Sequence, residues 1–143
     1  KRTSPPPYME IFDVPGKTSC IVYRERTNTP LQALSLLNDP QFVESSRALA
    51  FRMKNEGGDS LEAQIELGFL MTLYRKPSQK DLQIMSDLYR EELENFKIDR
   101  QAASDYLSVG DHKIPNKFPE PEVAAMTFVA STLFNMDEMY TKR

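Results

Sequence analysis

Thr29-Pro30-Leu31-Gln32-Ala33-Leu34-Ser35-Leu36-Leu37-Asn38-Asp39-Pro40-Gln41-Phe42-Val43 is the stretch that decides the fold. Thr29 with Gln32 at the third helical position forms a capping box. The Thr29 hydroxyl accepts from the Gln32 amide, and the Gln32 side chain reaches back. Pro30 sits at the first helical position, where no amide partner is needed. A short helix over 30–37 is predicted. Asn38-Asp39-Pro40 breaks it, because a residue before proline avoids the α region. Asp39 then caps a second helix starting at Pro40. Phe42, Val43, Leu49, Ala50 and Met53 give it an apolar face, with Arg47, Arg52 and Lys54 expected mostly outside. Gly57-Gly58 stops it.

Towards the C-terminus the same grammar repeats. Asp59-Ser60-Leu61-Glu62 opens a third helix. Leu61, Ile65, Phe69 and Leu73 follow at intervals of four, and Leu70 and Tyr74 are expected to widen the stripe. Arg75-Lys76 suit the negative end of the helix dipole, and Pro77 forbids continuation. Ser78-Gln79-Lys80-Asp81 caps a fourth helix carrying Leu82, Met85, Leu88, Tyr89, Leu93 and Phe96. Helices so closely joined predict an antiparallel hairpin. Asp99 to Ser108 reads as a short helix ending at Gly110. Residues 110–120 read as a loop with two prolines. Glu122 to Met136 is the last strong helix, with Val123, Met126, Ala130, Leu133 and Phe134 facing inward and Pro121 in its first turn.

Towards the N-terminus the pattern dissolves. Pro5-Pro6-Pro7 favours an extended start. Asp13-Val14-Pro15-Gly16 is turn chemistry. Ser19-Cys20-Ile21-Val22-Tyr23 has weak strand propensity but no partner strand, so it is read as extended coil. The expectation is an all-α protein: an irregular bundle of five to six helices over 29–143, preceded by an extended linker or docking segment over 1–28.

The 143 residues suit one domain. A net charge of −3 argues against nucleic-acid binding. No run of apolar residues is long enough to span a membrane. Lys1 and the polar run to Pro7 read like a chain entered midway, so a longer parent is expected.

Common chemistries are hard to assemble here. The single histidine, His112, reads as an exposed loop residue. Cys20 reads as a buried structural thiol and has no disulfide partner. There is no Cys/His pair at zinc spacing, no haem-attachment motif and no glycine-rich phosphate loop. Asn135-Met136-Asp137-Glu138 offers oxygen ligands without the alternation of a calcium loop, and reads as a solvated helix end. Glu91, Glu92 and Glu94 read as an exposed face. Asp13, Asp39 and Glu44 are the carboxylates nearest the polar segment. No metal or cofactor is expected. The densest polar cluster is Arg24, Arg26, Thr27, Asn28, Gln32, Asn38 and Asp39. Its arginines could hold a carboxylate or phosphate, or its members could satisfy helix ends and tie down the N-terminal segment.

Several blocks together carry a resemblance. They are Phe12-Asp13-Val14-Pro15, Cys20, Arg24, Arg26 to Leu34, Leu36 to Val43, Leu73 to Ser78, Tyr106 to Gly110, and Ala130 to Thr141. The set resembles the C-terminal domain, of unknown function, of the large planctomycete cytochrome-c-type multidomain proteins. The chain departs from that pattern at Gly16 and Met139. The resemblance implies an exported bacterial protein, periplasmic or at the cell surface. Its partners would be upstream domains of the same chain, in some members a c-type haem domain. It supplies no catalytic residue.

Two readings follow. One is a scaffold or interaction module, with Tyr8, Ile11 and Phe12 marking an interface to the upstream domain. The other is part of a hydrolase or redox enzyme whose site is completed by that domain. There Arg24, Arg26, Asn28 and Asp39 would bind an anionic group or orient a substrate. Under either reading Arg24, Arg26, Asn28, Gln32, Asn38 and Asp39 are the candidate ligand or domain-interface residues.

Overall fold

A computed structural model describes residues 7–14, 22–23, 27, 29–112, 115 and 117–140, with the side chains of 7, 8 and 140 outside that description. Among these residues there are eight helices and no strand: α1 (Pro7–Ile11), α2 (Pro30–Asn38), α3 (Pro40–Glu56), α4 (Leu61–Leu73), α5 (Gln79–Ile98), α6 (Arg100–Ser108), α7 (Glu120–Phe134) and α8 (Asp137–Tyr140). Six of them build an all-α bundle, while α1 and α8 are single turns of five and four residues.

Local side-chain chemistry sets the boundaries. Thr29 Oγ1 accepts from the Gln32 amide at 3.3 Å, and Gln32 Oε1 accepts from the Thr29 amide at 3.1 Å. Asp39 Oδ1 accepts from the Gln41 amide at 2.9 Å and so starts α3. Ser60 caps α4, Ser78 and Asp81 form a second capping box on α5, and Asp99 caps α6. Such caps satisfy amides that the helix itself leaves bare.

The bundle is organised around α7, which packs on α2, α3, α4, α5 and α6. Its sequence explains that place. Val123, Ala124, Ala125, Met126, Thr127, Val129, Ala130, Ser131 and Leu133 are all buried, so the helix is apolar nearly all round, as a central helix must be. Its alanines and serine let neighbours approach closely. α4 does the same with Gly68, where an added Cβ would lie 2.9 Å from Leu133 Cδ1 and 2.7 Å from Met53 Cε. The core between them holds Met53, Ile65, Phe69, Met85, Met126 and Leu133. An aromatic ladder runs beside it: Phe96 of α5 stacks on Tyr106 of α6 at 6.1 Å, and Tyr106 meets Phe128 of α7 at 6.1 Å.

Several local expectations need correction. Residues 7–11, read as part of an extended segment, form the helical turn α1. Tyr74 does not widen the α4 stripe: it leaves the helix in a left-handed conformation at φ 56° and is 90% exposed. Leu70 is exposed too. The last long helix starts at Glu120, because Pro121 in the first turn needs no amide bond. It ends at Phe134, because the Asn135 amide also bonds to the Thr132 carbonyl and the Met136 amide to that of Leu133, tightening the turn before α8.

Candidate functional site

The sequence cluster around α2 divides between the two ends of that helix. At the N-terminal end Gln32 is buried. Its Nε2 donates to the Ile11 carbonyl at 2.9 Å and to Thr27 Oγ1 at 3.1 Å. The Asp13 carboxylate in turn accepts from the Thr27 amide and hydroxyl, both at 2.8 Å. Asp13 adopts a left-handed backbone at φ 55°, which aspartate tolerates better than most residues. One side chain thus ties the end of α1, residue 27 and the start of α2 into a single network. Phe12 adds an apolar tie, its ring 6.3 Å from that of Phe42. Ile11 and Phe12 are consequently half-buried rather than presented outward.

Asn38 and Asp39 lie at the other end of α2, on the order of 10 Å away at 1.5 Å per residue. Asn38 Nδ2 donates to the Leu34 carbonyl at 2.9 Å, and Asp39 is the cap of α3. Asp13 and Asp39 therefore both serve backbone amides. Arg24, Arg26, Asn28 and Cys20 lie outside the described residues, as do Tyr8's side chain, Pro15 and Gly16.

A second polar centre was missed from sequence. Arg47 and Lys54, expected on the outer side of α3, point inward. Arg47 is only 4% exposed. Its Nη1 donates to the Leu107 carbonyl and, at 2.8 Å, to that of Val109; its Nη2 donates to the His112 carbonyl. The first two carbonyls close α6, where bare carbonyls and the helix dipole favour a cation. One turn earlier, Glu44 Oε2 accepts from the Asp111 amide at 2.6 Å and the His112 amide at 2.9 Å. The His112 amide most of all holds the Glu44 carboxyl below the usual carboxylate range, against the pull of desolvation and with help from the Asp111 amide and Arg47. Arg47 thus takes the carbonyls of the segment 107–112 and Glu44 takes its amides. Gly110, at φ 86°, makes the turn between them.

Beside this clamp is a cleft of about 520 Å³ between α3, α6, α7 and the connection into α7. Arg47, Phe51, Ser104, Leu107, Phe118 and Val123 are among the residues lining it. Phe51 and Phe118 meet edge to face at 5.8 Å. Lys54 closes the adjoining surface: its side chain is 7% exposed, and Nζ bonds Glu122 at 2.9 Å and lies 5.2 Å from the Phe118 ring centre. Spacing offered the missed signal, since Arg47 stands four residues after Val43 and three before Ala50, both buried.

The other sequence candidates are more ordinary. His112 is exposed, as are Glu91 and Glu94, while Glu92 is half-buried. Among the described residues no group of three or more His, Cys, Asp and Glu side chains is placed to hold a metal ion. Glu138 is not simply solvated: it forms a two-pronged pair with Arg75, at 2.6 and 3.0 Å, which joins α8 to the turn between α4 and α5.

A family model described as PSD1, protein of unknown function (DUF1553), matches residues 1–89, more than half of the chain. The chain belongs to the PSD1 family. The PSD1 match takes in Gln32, Glu44 and Arg47, whereas the backbone groups held by Glu44 and Arg47 come from residues 107–112, beyond it. No curated protein and no solved structure matches the chain.

Proposed function

We propose that this chain is a helical scaffold and interaction module whose α2 face docks on a neighbouring domain of a longer protein. The supporting observation is a row of leucines. Leu31, Leu34 and Leu37 are 55%, 56% and 38% exposed. At intervals of three they share one side of α2, while Gln32 and Leu36 on the opposite side are buried. A short helix that leaves three leucines facing water marks a contact surface. Val22 and Tyr23, in the segment leading to α2, are exposed as well.

In this reading residues 1–28 are the docking segment and residues 29–143 the bundle. The Gln32 network holds the two in register. The resemblance to planctomycete cytochrome-c-type multidomain proteins supports a particular setting: an exported bacterial parent, periplasmic or at the cell surface, with the partner an upstream domain of the same chain, in some cases a c-type haem domain. Among the described residues no helix is long and apolar enough to cross a membrane.

Amide hydrogen exchange compares the parent protein with this chain alone. The α2 amides and the Leu31–Leu37 side are expected to gain protection in the parent, and Leu34→Glu is expected to remove that gain without changing the bundle's circular dichroism. Equal exchange of α2 in both settings refutes the proposal.

A further inference from the structure

We infer that the docking partner of α2 is a single amphipathic helix, seated over Phe128 in an opening on α7 between α2 and α6, with a basic edge toward α6. The inference rests on the docking role of α2 and gives that role a floor, two walls and a partner of stated chemistry.

α7 shows the opening. Between Val123 and Leu133 every residue is buried except Phe128, which is 36% exposed, and Thr132, which is half-buried. Four residues apart, these two lie on one side of the helix. Asn135, seven after Phe128, lies on that side too, and its Nδ2 donates to the Ala33 carbonyl of α2 at 3.3 Å. α6 crosses nearer the start of α7. Its Tyr106 meets Phe128 at 6.1 Å, and its Ser104 and Leu107 border the same cleft as Val123. Both α2 and α6 thus pack on α7 without packing closely on each other. From Ala125 to Asn135 α7 rises roughly 15 Å. Helices pack about 8–10 Å apart, so this distance is close to two such spacings. One helix fits between α2 and α6, and a broader element does not.

The leucine row supplies one wall. Gln32 turns to α1, bonding the Ile11 carbonyl, and the exposed Leu31, Leu34 and Leu37 are on the other side of α2. An apolar wall beside an apolar floor takes the apolar stripe of an amphipathic helix. Charge then sets the partner's edges. α2 carries no charged residue from Pro30 to Asn38. Across the opening, Asp105 is exposed on α6, and Glu92 is half-buried on α5. Burial raises the Tyr106 phenol and the nearby Glu92 charge adds to it. Neither Asp105 nor Glu92 forms an ion pair with a described residue. A helix with Lys or Arg along the edge facing α6, and an uncharged edge facing α2, complements these walls.

The test follows amide exchange of α2 in the parent protein, as wild type and in four variants. Leu34→Glu reports docking of α2 on any partner. Thr132→Arg puts a long charged side chain on the floor of the opening and should lower α2 protection about tenfold or more. Glu92→Lys should lower it by about two- to fivefold, and Glu91→Lys, on the neighbouring side of α5, should leave it unchanged. The upstream segment that loses protection together with α2 should be one stretch, with apolar residues three and four apart and Lys or Arg beside them. If Leu34→Glu lowers α2 protection while a folded Thr132→Arg does not, α2 docks elsewhere and the inference is overturned with the docking role intact. If neither variant lowers it, both are overturned. Should Thr132→Arg not fold, Glu92→Lys decides: protection equal to that of Glu91→Lys overturns the inference. Loss of protection spread over several upstream segments, or over an acidic one, overturns it as well.

Discussion

Replacing Arg47 by methionine should destabilise the protein far more than the same change at Arg52, five residues along the same helix. Methionine keeps much of the apolar stem and removes the guanidinium. Three hydrogen bonds to the carbonyls of Leu107, Val109 and His112 disappear. Hydrogen bonds from a charged donor contribute about 1.5–3 kcal/mol each. Two effects reduce the sum: water entering the cleft can reach the freed carbonyls, and a buried charge no longer has to be desolvated. A net loss of about 2–4 kcal/mol remains. With a urea dependence of roughly 2 kcal/mol per molar, the midpoint moves down by about 1–2 M. Arg52, with 55% of its side chain exposed, pairs only with Glu56 one turn away. Exposed helix pairs of that kind contribute little, so Arg52→Met should leave the midpoint nearly unmoved. Urea unfolding followed by far-UV circular dichroism measures both. Amide exchange at Asp111 and His112 gives an independent reading, because the segment that Arg47 anchors also carries the amides held by Glu44. Equal midpoints for the two variants, or unchanged exchange at 111 and 112, would refute the view that Arg47 clamps the end of α6.

Two further outcomes follow from the geometry. Gly110→Ala forces a side chain into φ 86° and against the Glu44 carboxylate, 3.0 Å from its Cδ, and a loss of about 1–3 kcal/mol is expected; unfolding midpoints and loosened exchange at 111–112 check it. Tyr89 and Tyr106 are pushed up to about 12 by burial, with help from Glu122 and Glu92 respectively. Their raised values mean that the neutral phenols stabilise the fold fully below the ordinary value of 10.0 and lose that contribution as pH rises through about 12. Phenolate absorbance should therefore show Tyr89 and Tyr106 titrating late, and stability should fall across that window. Titration of Tyr89 and Tyr106 near the ordinary value of 10.0 contradicts it.

Much of the fold was readable because its signals are short-range. Thr29 and Gln32 are three residues apart, and so are Ser78 and Asp81; each pair appears in the structure as a capping box. The stripe Leu61, Ile65, Phe69, Leu73 marked α4 by spacing alone. The N-terminal cluster was readable only as a list. Gln32 could be assigned its cap, but not its bond to Ile11, twenty-one residues away. Arg47 was misplaced because charge type was allowed to outweigh position: its spacing from Val43 and Ala50 put it on the buried side. Tyr74 was misplaced for the converse reason, since continuing the stripe ignored that a helix can end in a left-handed residue ahead of Pro77.

Residue order alone was enough to specify the six bundle helices, most of their boundaries, and an all-α class, because caps and periodicity act within about one turn; it did not give the short turns α1 and α8. It took the packed chain to make α7 the centre, to join Arg75 to Glu138 across sixty-three residues, and to bring the carbonyls of 107–112 to Arg47 across sixty to sixty-five. Those contacts depend on how helices meet, and hydrophobic burial drives helices together without encoding in any single stretch which distant polar groups will be enclosed with them.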